Sequence, residues 1–242
     1  MDDQVVAELA PTGTLRAGIN LANFLLVTGR SPSGDPEGVA PDLARAVADR
    51  LGVPTRYVTY PLPKELADAA GAEAWDIGLI GAEPARAEKI AFTAAYAEIE
   101  STYLVPAGSP LMAIGDVDRE GVRIAVAAGS AYDLWLSRHL KHAKLVRADT
   151  IDASFEAFVE GKLDALAGLR PRLVSDLEKL PGARLIDGRF SAVQQAVGTA
   201  RRNEAGAAFL REFVEEAKRS GLIAELIDKH GVRGLSVADL AS

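Results

Sequence analysis

Apolar residues recur along the first part of the chain at spacings that predict alternating strands and helices. Leu43, Val47 and Leu51 lie four residues apart and form one face of an amphipathic helix that Gly52 can end. The predicted elements are a strand at 14–19, a helix at 41–52, a strand at 55–60, a helix near 63–71 and a strand at 75–81. This order predicts a parallel sheet with helices on its faces.

The same alternation begins again after residue 120. The predicted elements are a strand at 121–129, a helix at 130–140, a strand at 144–148, a helix at 150–161 and strands at 163–169 and 183–188. Ser130 and Thr150 stand at helix N-cap positions, and Asp133 follows Ser130 at the spacing of a capping box. A second α/β unit is therefore expected.

Apolar stripes predict the buried faces of two helices in the second half of the chain. They are Phe155, Phe158 and Val159 in the helix at 150–161, and Phe209, Leu210, Phe213, Val214 and Ala217 in a final helix at 203–221. The final segment is too short to be a domain, so it must pack on one of the two units.

Two extended stretches, 101–106 and 194–200, flank the second unit. They are expected to carry the chain from one lobe to the other and back, as a two-strand hinge. Two crossings make the first lobe discontinuous. The expected domains are lobe 1, residues 1–104 plus 198–242, and lobe 2, residues 105–197.

Composition and charge argue against several classes of function. The 242 residues are 48% hydrophobic, and a net charge of -7 without a basic cluster argues against nucleic acid as a partner. The absence of cysteine excludes disulfides, thiol chemistry and Cys-bound metals. No apolar run reaches the roughly 18 residues of a spanning helix. The acidic N-terminus lacks a secretory signal pattern, so either a signal was removed or there never was one.

One arginine, Arg86, stands among small residues just after a predicted strand, in the segment GAEPAR. It is either a solvated surface group or a binding group for an anion. Ligands of open α/β sheets bind beyond the carboxyl ends of the strands, and a guanidinium matches a carboxylate with two hydrogen bonds. The helix start at Ser130, Ala131 and Tyr132 offers free N–H groups and a positive dipole end, so it is a second candidate anion site.

Six segments of the chain occur in a familiar order: LRAGIN, GVAPDLARAVADRLG, WDIGLIGAEPARAEKIAFTAAYAEIESTYLVPAGSPL, VDREGVRIAVAAGSAYDLWL, EGKLDALAG and QQAVGTARRN. With this order and spacing the chain resembles the type II periplasmic solute-binding proteins. More closely, it is similar to the polar amino-acid receptors of ABC importers, the bacterial extracellular solute-binding protein family 3. The resemblance implies an α/β fold of two lobes, each a mostly parallel sheet flanked by helices.

The resemblance implies a role for Arg86, which lies six residues before Phe92 as the ligand-binding arginine of the family does. That arginine binds the carboxylate of the ligand. The preceding loop is two residues shorter here and is closer to a subgroup with DPxRA-like loops. A carboxylate held between Arg86 and the N–H groups at Ser130, Ala131 and Tyr132 would bridge both lobes and favour their closure.

Further candidate ligand contacts lie near predicted strand ends. They are Asn20, Asn23, Phe24, Tyr60, Gly81, Glu83, Leu169 and Gln195. Four of them have an alternative structural role: Asn20 and Asn23 as turn residues, Tyr60 at the rim of the core, and Gln195 in hydrogen bonds to the hinge backbone. Ser130 is also explained by helix capping alone.

Other polar residues are assigned to the surface. His139 and His142 have a spacing that could hold a metal, but no third ligand is visible, so a solvated helix face is expected. No metal and no cofactor is expected. Arg170 and Arg172 follow a strand end; Arg170 either approaches the cleft or, like Arg172, is a surface charge.

A separate hypothesis concerns the group that would bind the α-ammonium of an amino-acid ligand. Amino-acid receptors of the family usually place an acid after the strand LDALAG to bind the α-ammonium, and the matching residue here is Leu169. Asn20 replaces another acid common in the family. Because a buried ammonium without a carboxylate partner is costly, the hypothesis is a small carboxylate without a free α-ammonium, or a weakly bound amino acid. Glu83 is the acid that could restore ordinary binding.

Three functions from different classes remain open. The first is a non-catalytic periplasmic receptor, a monomer that delivers a small carboxylate ligand to the membrane subunits of an ABC importer. The second is an enzyme similar to cyclohexadienyl dehydratases, with Glu83 or Asp133 as the acid, although Asp133 is better explained as a cap. The third is a cytosolic or sensor ligand-binding module. No Ser–His–Asp, P-loop or GxGxxG pattern indicates another class of enzyme.

Overall fold

The computed structural model describes residues 3–241. The helices are α1 (Asp3–Leu9), α2 (Val39–Leu51), α3 (Pro63–Asp68), α4 (Pro84–Ala87), α5 (Ala131–His139), α6 (Ile151–Glu160), α7 (Arg170–Leu177), α8 (Glu204–Arg219) and α9 (Leu222–Lys229), with a 3-10 turn at Ile114–Asp116. The strands are β1 (Leu15–Asn20), β2 (Gly29–Arg30), β3 (Pro36–Glu37), β4 (Thr55–Tyr60), β5 (Ile77–Gly81), β6 (Ile90–Phe92), β7 (Ala97–Val105), β8 (Arg123–Ala127), β9 (Lys144–Ala148), β10 (Ala165–Leu169), β11 (Arg184–Leu185), β12 (Ser191–Ala200) and β13 (Ser236–Val237).

Contacts within the chain define two units. The first comprises the residues up to Glu98 and those from Gln194 onward, and the second is Ile99–Val193. The chain therefore passes from one unit to the other within β7 and returns within β12. Both positions lie a few residues before the expected domain boundaries at 104/105 and 197/198.

The sheet of the first unit is parallel at its centre. β1 lies between β4 and β5 and runs parallel to both. β12 runs antiparallel beside β5, and β6 runs antiparallel beside β12. Because β1, β4 and β5 are parallel, their carboxyl ends meet at one edge of the sheet, where Asn20, Tyr60 and Gly81 lie.

The sheet of the second unit repeats this arrangement. β8 lies between β9 and β10 and runs parallel to both, and β7 runs antiparallel beside β10. Its core includes the buried side chains of Phe158, Leu163, Leu166 and Leu173. The carboxyl edge of this sheet carries the start of α5, and the amino edge receives the end of α6.

The predicted helix starts at Ser130 and Thr150 are confirmed. The Ser130 Oγ accepts a hydrogen bond from the Asp133 N–H at 3.1 Å, and the Thr150 Oγ1 accepts one from the Ala153 N–H at 3.0 Å. Each side chain satisfies an N–H group of the first helical turn that has no partner within the helix. The strands predicted at 55–60 and 144–148 have those bounds, and most other elements differ by a few residues.

Several local predictions are wrong. The stretch 183–188 is a strand only at Arg184–Leu185, where it pairs with β7; beyond it, Asp187 forms an isolated bridge to Ala113. Val159 was assigned to a buried helix face, but its side chain is 42% exposed while Phe158 beside it is buried. The helices α1, α4, α7 and α9 were also not predicted, and each is eight residues long or shorter.

Candidate functional site

Arg86 lies in α4, the single helical turn that follows β5 directly. Pro84 opens this turn, and the Arg86 N–H donates to the Glu83 carbonyl at 2.9 Å. The turn points the arginine inward, so that the residue is only 6% exposed. The alternative of a solvated surface arginine is therefore wrong.

The charge of Arg86 is kept in this buried position by the local backbone and by one nearby acid. Its Nη1 donates to the Gly81 carbonyl at the end of β5, at 2.7 Å. Burial lowers the pKa of Arg86 to about 10, and the negative charge of Glu83 raises it again in part. The guanidinium is therefore still protonated at neutral pH. Glu83, at the N-cap of α4, is itself only 9% exposed.

Gln195 lies on β12 directly opposite Gly81. The Gln195 carbonyl accepts from the Tyr96 N–H at 2.8 Å, and the Ala82 N–H donates to the Gln194 carbonyl at 2.7 Å. The backbone at 194–195 thus fixes both ends of the segment that contains Arg86. Gln195 is 3% exposed, and its predicted contact with ligand stays a prediction.

The two asparagines after β1 both act as turn residues. The Asn20 Oδ1 accepts from the Ala22 N–H at 3.1 Å, and the Asn23 Oδ1 accepts from the Leu25 N–H at 3.2 Å. Asn23 is buried, whereas Phe24 beside it is 38% exposed. Tyr60, at the end of β4, packs partly buried against a core cluster that contains Trp75. The structural roles of these residues are present, and their ligand roles stay predictions.

The start of α5 in the second unit is fastened by Asp133. Its carboxylate accepts from the Gly129 N–H at 2.8 Å and from the Arg147 Nε at 2.9 Å. Asp133 therefore has the structural role expected of a cap. Its ion pair with Arg147, which lies on a neighbouring strand, was not predicted from the sequence. Within residues 3–241, the Ala131 and Tyr132 N–H groups donate to no other residue, while the Ser130 N–H donates to the Ala127 carbonyl at 3.3 Å.

Tyr132 is buried at the start of the same helix, with 4% of its surface exposed. Burial raises the pKa of Tyr132 to about 12. The phenol is therefore neutral at physiological pH, and it adds no negative charge beside the N–H groups at the start of α5. The carboxylate of Asp133 at this end is paired with Arg147, so the helix dipole still favours an anion there.

The end of β10 carries no acid. Leu169 is the N-cap of α7 and is 7% exposed. Arg170, the next residue, donates from its Nε to Glu100 at 2.7 Å, and Arg172 pairs with Asp152 and Asp176 at 2.7 and 2.9 Å. Both arginines are partly exposed and pair with carboxylates of the same unit, and an approach of Arg170 to the cleft stays a prediction.

The two histidines of the second unit do not form a metal site in the described chain. The His139 ring stacks on Trp135 with ring centroids 3.7 Å apart, and its Nδ1 lies 2.7 Å from the Trp135 carbonyl. Across residues 3–241, no three His, Asp or Glu side chains are grouped as metal ligands.

A comparison with protein families decides what kind of protein carries this arrangement. The model of the bacterial extracellular solute-binding proteins, family 3, matches residues 22–233. The chain belongs to this family. Among curated proteins, no sequence matches it.

Solved structures share the fold of this family-3 protein at low sequence identity. The substrate-binding protein of an amino acid ABC transporter has a TM-score of 0.71 and 21% identity, over 90% of this chain and 98% of that one. An ancestral amino-acid-binding protein, a precursor of cyclohexadienyl dehydratase, has a TM-score of 0.74 and 20% identity, over 93% of this chain and 97% of that one. A histidine kinase sensor domain with similarity to periplasmic binding proteins has a TM-score of 0.76 and 16% identity, over 93% of this chain and 98% of that one. The expected α/β fold of type II periplasmic binding proteins is thereby confirmed.

The helices of the family-3 protein were also compared with the requirements of a membrane span. Between residues 3 and 241, none of them is both long enough and apolar enough to cross a bilayer.

Proposed function

We propose that the protein is a non-catalytic receptor that binds a small carboxylate-bearing ligand through Arg86 and delivers it to the membrane subunits of an ABC importer. The observation that carries this proposal is the buried, protonated guanidinium of Arg86 beside the carboxyl end of β5. Removing a cation from water costs several kcal/mol unless negative charge and hydrogen-bond acceptors replace the water. Glu83 supplies negative charge nearby, and a ligand carboxylate would add the acceptors, with two parallel hydrogen bonds to the guanidinium.

The charges around Arg86 favour a ligand that also carries an ammonium. Arg86 and Glu83 are 6% and 9% exposed and interact electrostatically, and a guanidinium and a carboxylate of opposite unit charge have no net charge as a pair. A carboxylate alone would add an unbalanced negative charge at this buried position, whereas a zwitterionic amino acid would keep it neutral. We therefore favour an amino acid whose α-ammonium binds Glu83. The alternative, suggested by the absence of an acid at Leu169, is a ligand without an α-ammonium.

We propose that the second unit contributes N–H groups to the ligand. The Ala131 and Tyr132 N–H groups, at the positive end of the α5 dipole, are its candidates for binding an anionic group of the ligand. Closure of the two lobes on the ligand, a monomeric state and a periplasmic location follow from the family and stay predictions.

A thermal-shift screen tests the ligand-binding proposal. At 100 times its dissociation constant, a ligand stabilises its protein by roughly 2.7 kcal/mol. For a chain of this length that corresponds to about 5 to 10 °C in the unfolding temperature. We expect such a shift with one class among amino acids, keto acids and dicarboxylates, and no shift with the same compound in Arg86→Ala. A shift that persists unchanged in Arg86→Ala would contradict the assigned anchor.

Absence of catalysis is a separate expectation. A dehydratase needs an acid placed to transfer a proton, but Glu83 interacts electrostatically with Arg86, the residue that we propose to bind the ligand carboxylate. We expect no conversion of prephenate or arogenate by the purified protein, measured by the ultraviolet absorbance of the aromatic product. Turnover that Glu83→Gln abolishes would overturn the expectation and identify Glu83 as the catalytic acid.

A further inference from the structure

The second unit contains a cavity of about 440 Å³ that the proposed function does not use. Its walls are mostly apolar and come from the segment after β7, the end of α6 and the segment after α7. The side chains that form them include Pro106, Leu111, Phe158, Leu163, Leu180 and Pro181. A volume of this size lies within the range of small-molecule sites in proteins.

The cavity lies at the opposite edge of the sheet from the start of α5. Its lining residues Val122 and Asp164 come immediately before β8 and β10, at the amino ends of these parallel strands. Ser130 follows the carboxyl end of β8. The five residues of β8 separate the two edges by roughly 16 Å. The cavity is therefore distinct from the ligand contacts proposed for the second unit.

The mouth of the cavity carries a cation. The Asp164 carboxylate accepts from the Arg123 N–H at 2.8 Å, and the Arg123 Nε lies 3.7 Å away, so this acid is neutralised. Lys162 also lines the cavity, and its side chain is exposed. Its ammonium forms no salt bridge with any acid among residues 3–241. The net charge that a bound molecule would meet is positive.

The backbone at Lys162 is in a conformation that disfavours lysine. Its φ is 45°, in the left-handed region where glycine is the usual residue after a helix. A lysine could not stand at residue 161 instead, because a Cβ there would lie 2.7 Å from the Ala157 carbonyl oxygen. A lysine at residue 162 thus costs stability relative to glycine, and such strain is often retained where the side chain has a function.

We propose that this cavity is a second ligand site, which takes an amphipathic anion: a carboxylate joined to a small aromatic or branched aliphatic group. The apolar group packs against Phe158 and Leu163, and the carboxylate lies at the mouth beside Lys162. The cavity provides the burial, and Lys162 selects for negative charge. The site is independent of Arg86 and of the ligand bound there.

The test compares phenylacetate with phenylacetamide, which has nearly the same shape and no charge. Both are titrated into the isotope-labelled protein at low ionic strength, and amide chemical shifts are followed by NMR. We expect shifts at 106–111 and 158–164, with phenylacetate bound roughly three- to five-fold more tightly, the contribution typical of one exposed charge pair. Lys162→Gly should abolish this preference and raise the unfolding temperature.

Two further variants separate this site from the proposed function. Val159→Trp adds a large ring at an exposed position of the cavity lining and should abolish the shifts from both compounds while the protein remains folded. Arg86→Ala should leave phenylacetate binding unchanged. Equal affinity for the two compounds, shifts confined to residues around Arg86, or no shifts at the cavity would each overturn the proposal.

Discussion

Arg86→Ala is expected to weaken binding of the cognate ligand by roughly 2–5 kcal/mol, the range for removing one partner of a buried charge pair. The ligand carboxylate would lose both hydrogen bonds and the positive charge that compensates it. Isothermal titration calorimetry with the ligand found by the thermal-shift screen measures the change. The fold should persist, because the guanidinium of Arg86 bonds to the Gly81 carbonyl and does not belong to an apolar core cluster.

Two variants control this result. Arg86→Lys keeps the charge and should restore only part of the affinity, because an ammonium cannot form the two parallel hydrogen bonds of a guanidinium. Lys89→Ala removes an exposed cation from the same segment and should change affinity little. If Arg86→Ala binds the ligand as tightly as the parent protein, Arg86 is not the anchor.

Glu83→Gln is expected to change which ligands are accepted. The amide keeps the size and a hydrogen-bond acceptor but removes the negative charge that we propose to bind an α-ammonium. Affinity for the amino acid should fall by roughly 2 kcal/mol, about thirty-fold, the value for a hydrogen bond to a charged group. Affinity for its 2-keto or 2-hydroxy analogue should stay the same or rise, since the substitution removes a repulsion between two carboxylates. Calorimetry with such matched pairs measures both changes.

Glu88→Gln is the matched control for this substitution, because Glu88 lies five residues along the same segment and its side chain is exposed. It should alter neither affinity. Equal losses for the amino acid and its analogue in Glu83→Gln would show that Glu83 acts only through Arg86. Preferential binding of the analogue by the parent protein would instead support a ligand without an α-ammonium.

The order and type of most elements can be predicted from the residues alone. Strands such as 55–60 and helices such as 41–52 are specified by the spacing of apolar residues, and the caps at Ser130 and Thr150 by residues within one helical turn. These are local effects, so they can be predicted without knowing which residues lie nearby in space. The ordered segments also indicated the family, which the match over residues 22–233 established.

Only the tertiary structure decided what surrounds the charged groups. From the sequence, Arg86 could be either solvated or buried. Its burial depends on how the turn after β5 packs against β12, whose residues lie more than a hundred positions away in the chain. Arg170 and Asp133 have partners, Glu100 and Arg147, that no local spacing reveals. The left-handed backbone of Lys162 and the cavity beside it likewise arise where separate segments meet. Burial and electrostatics depend on these long-range contacts, because both are set by distance in space, and spacing along the chain does not fix that distance.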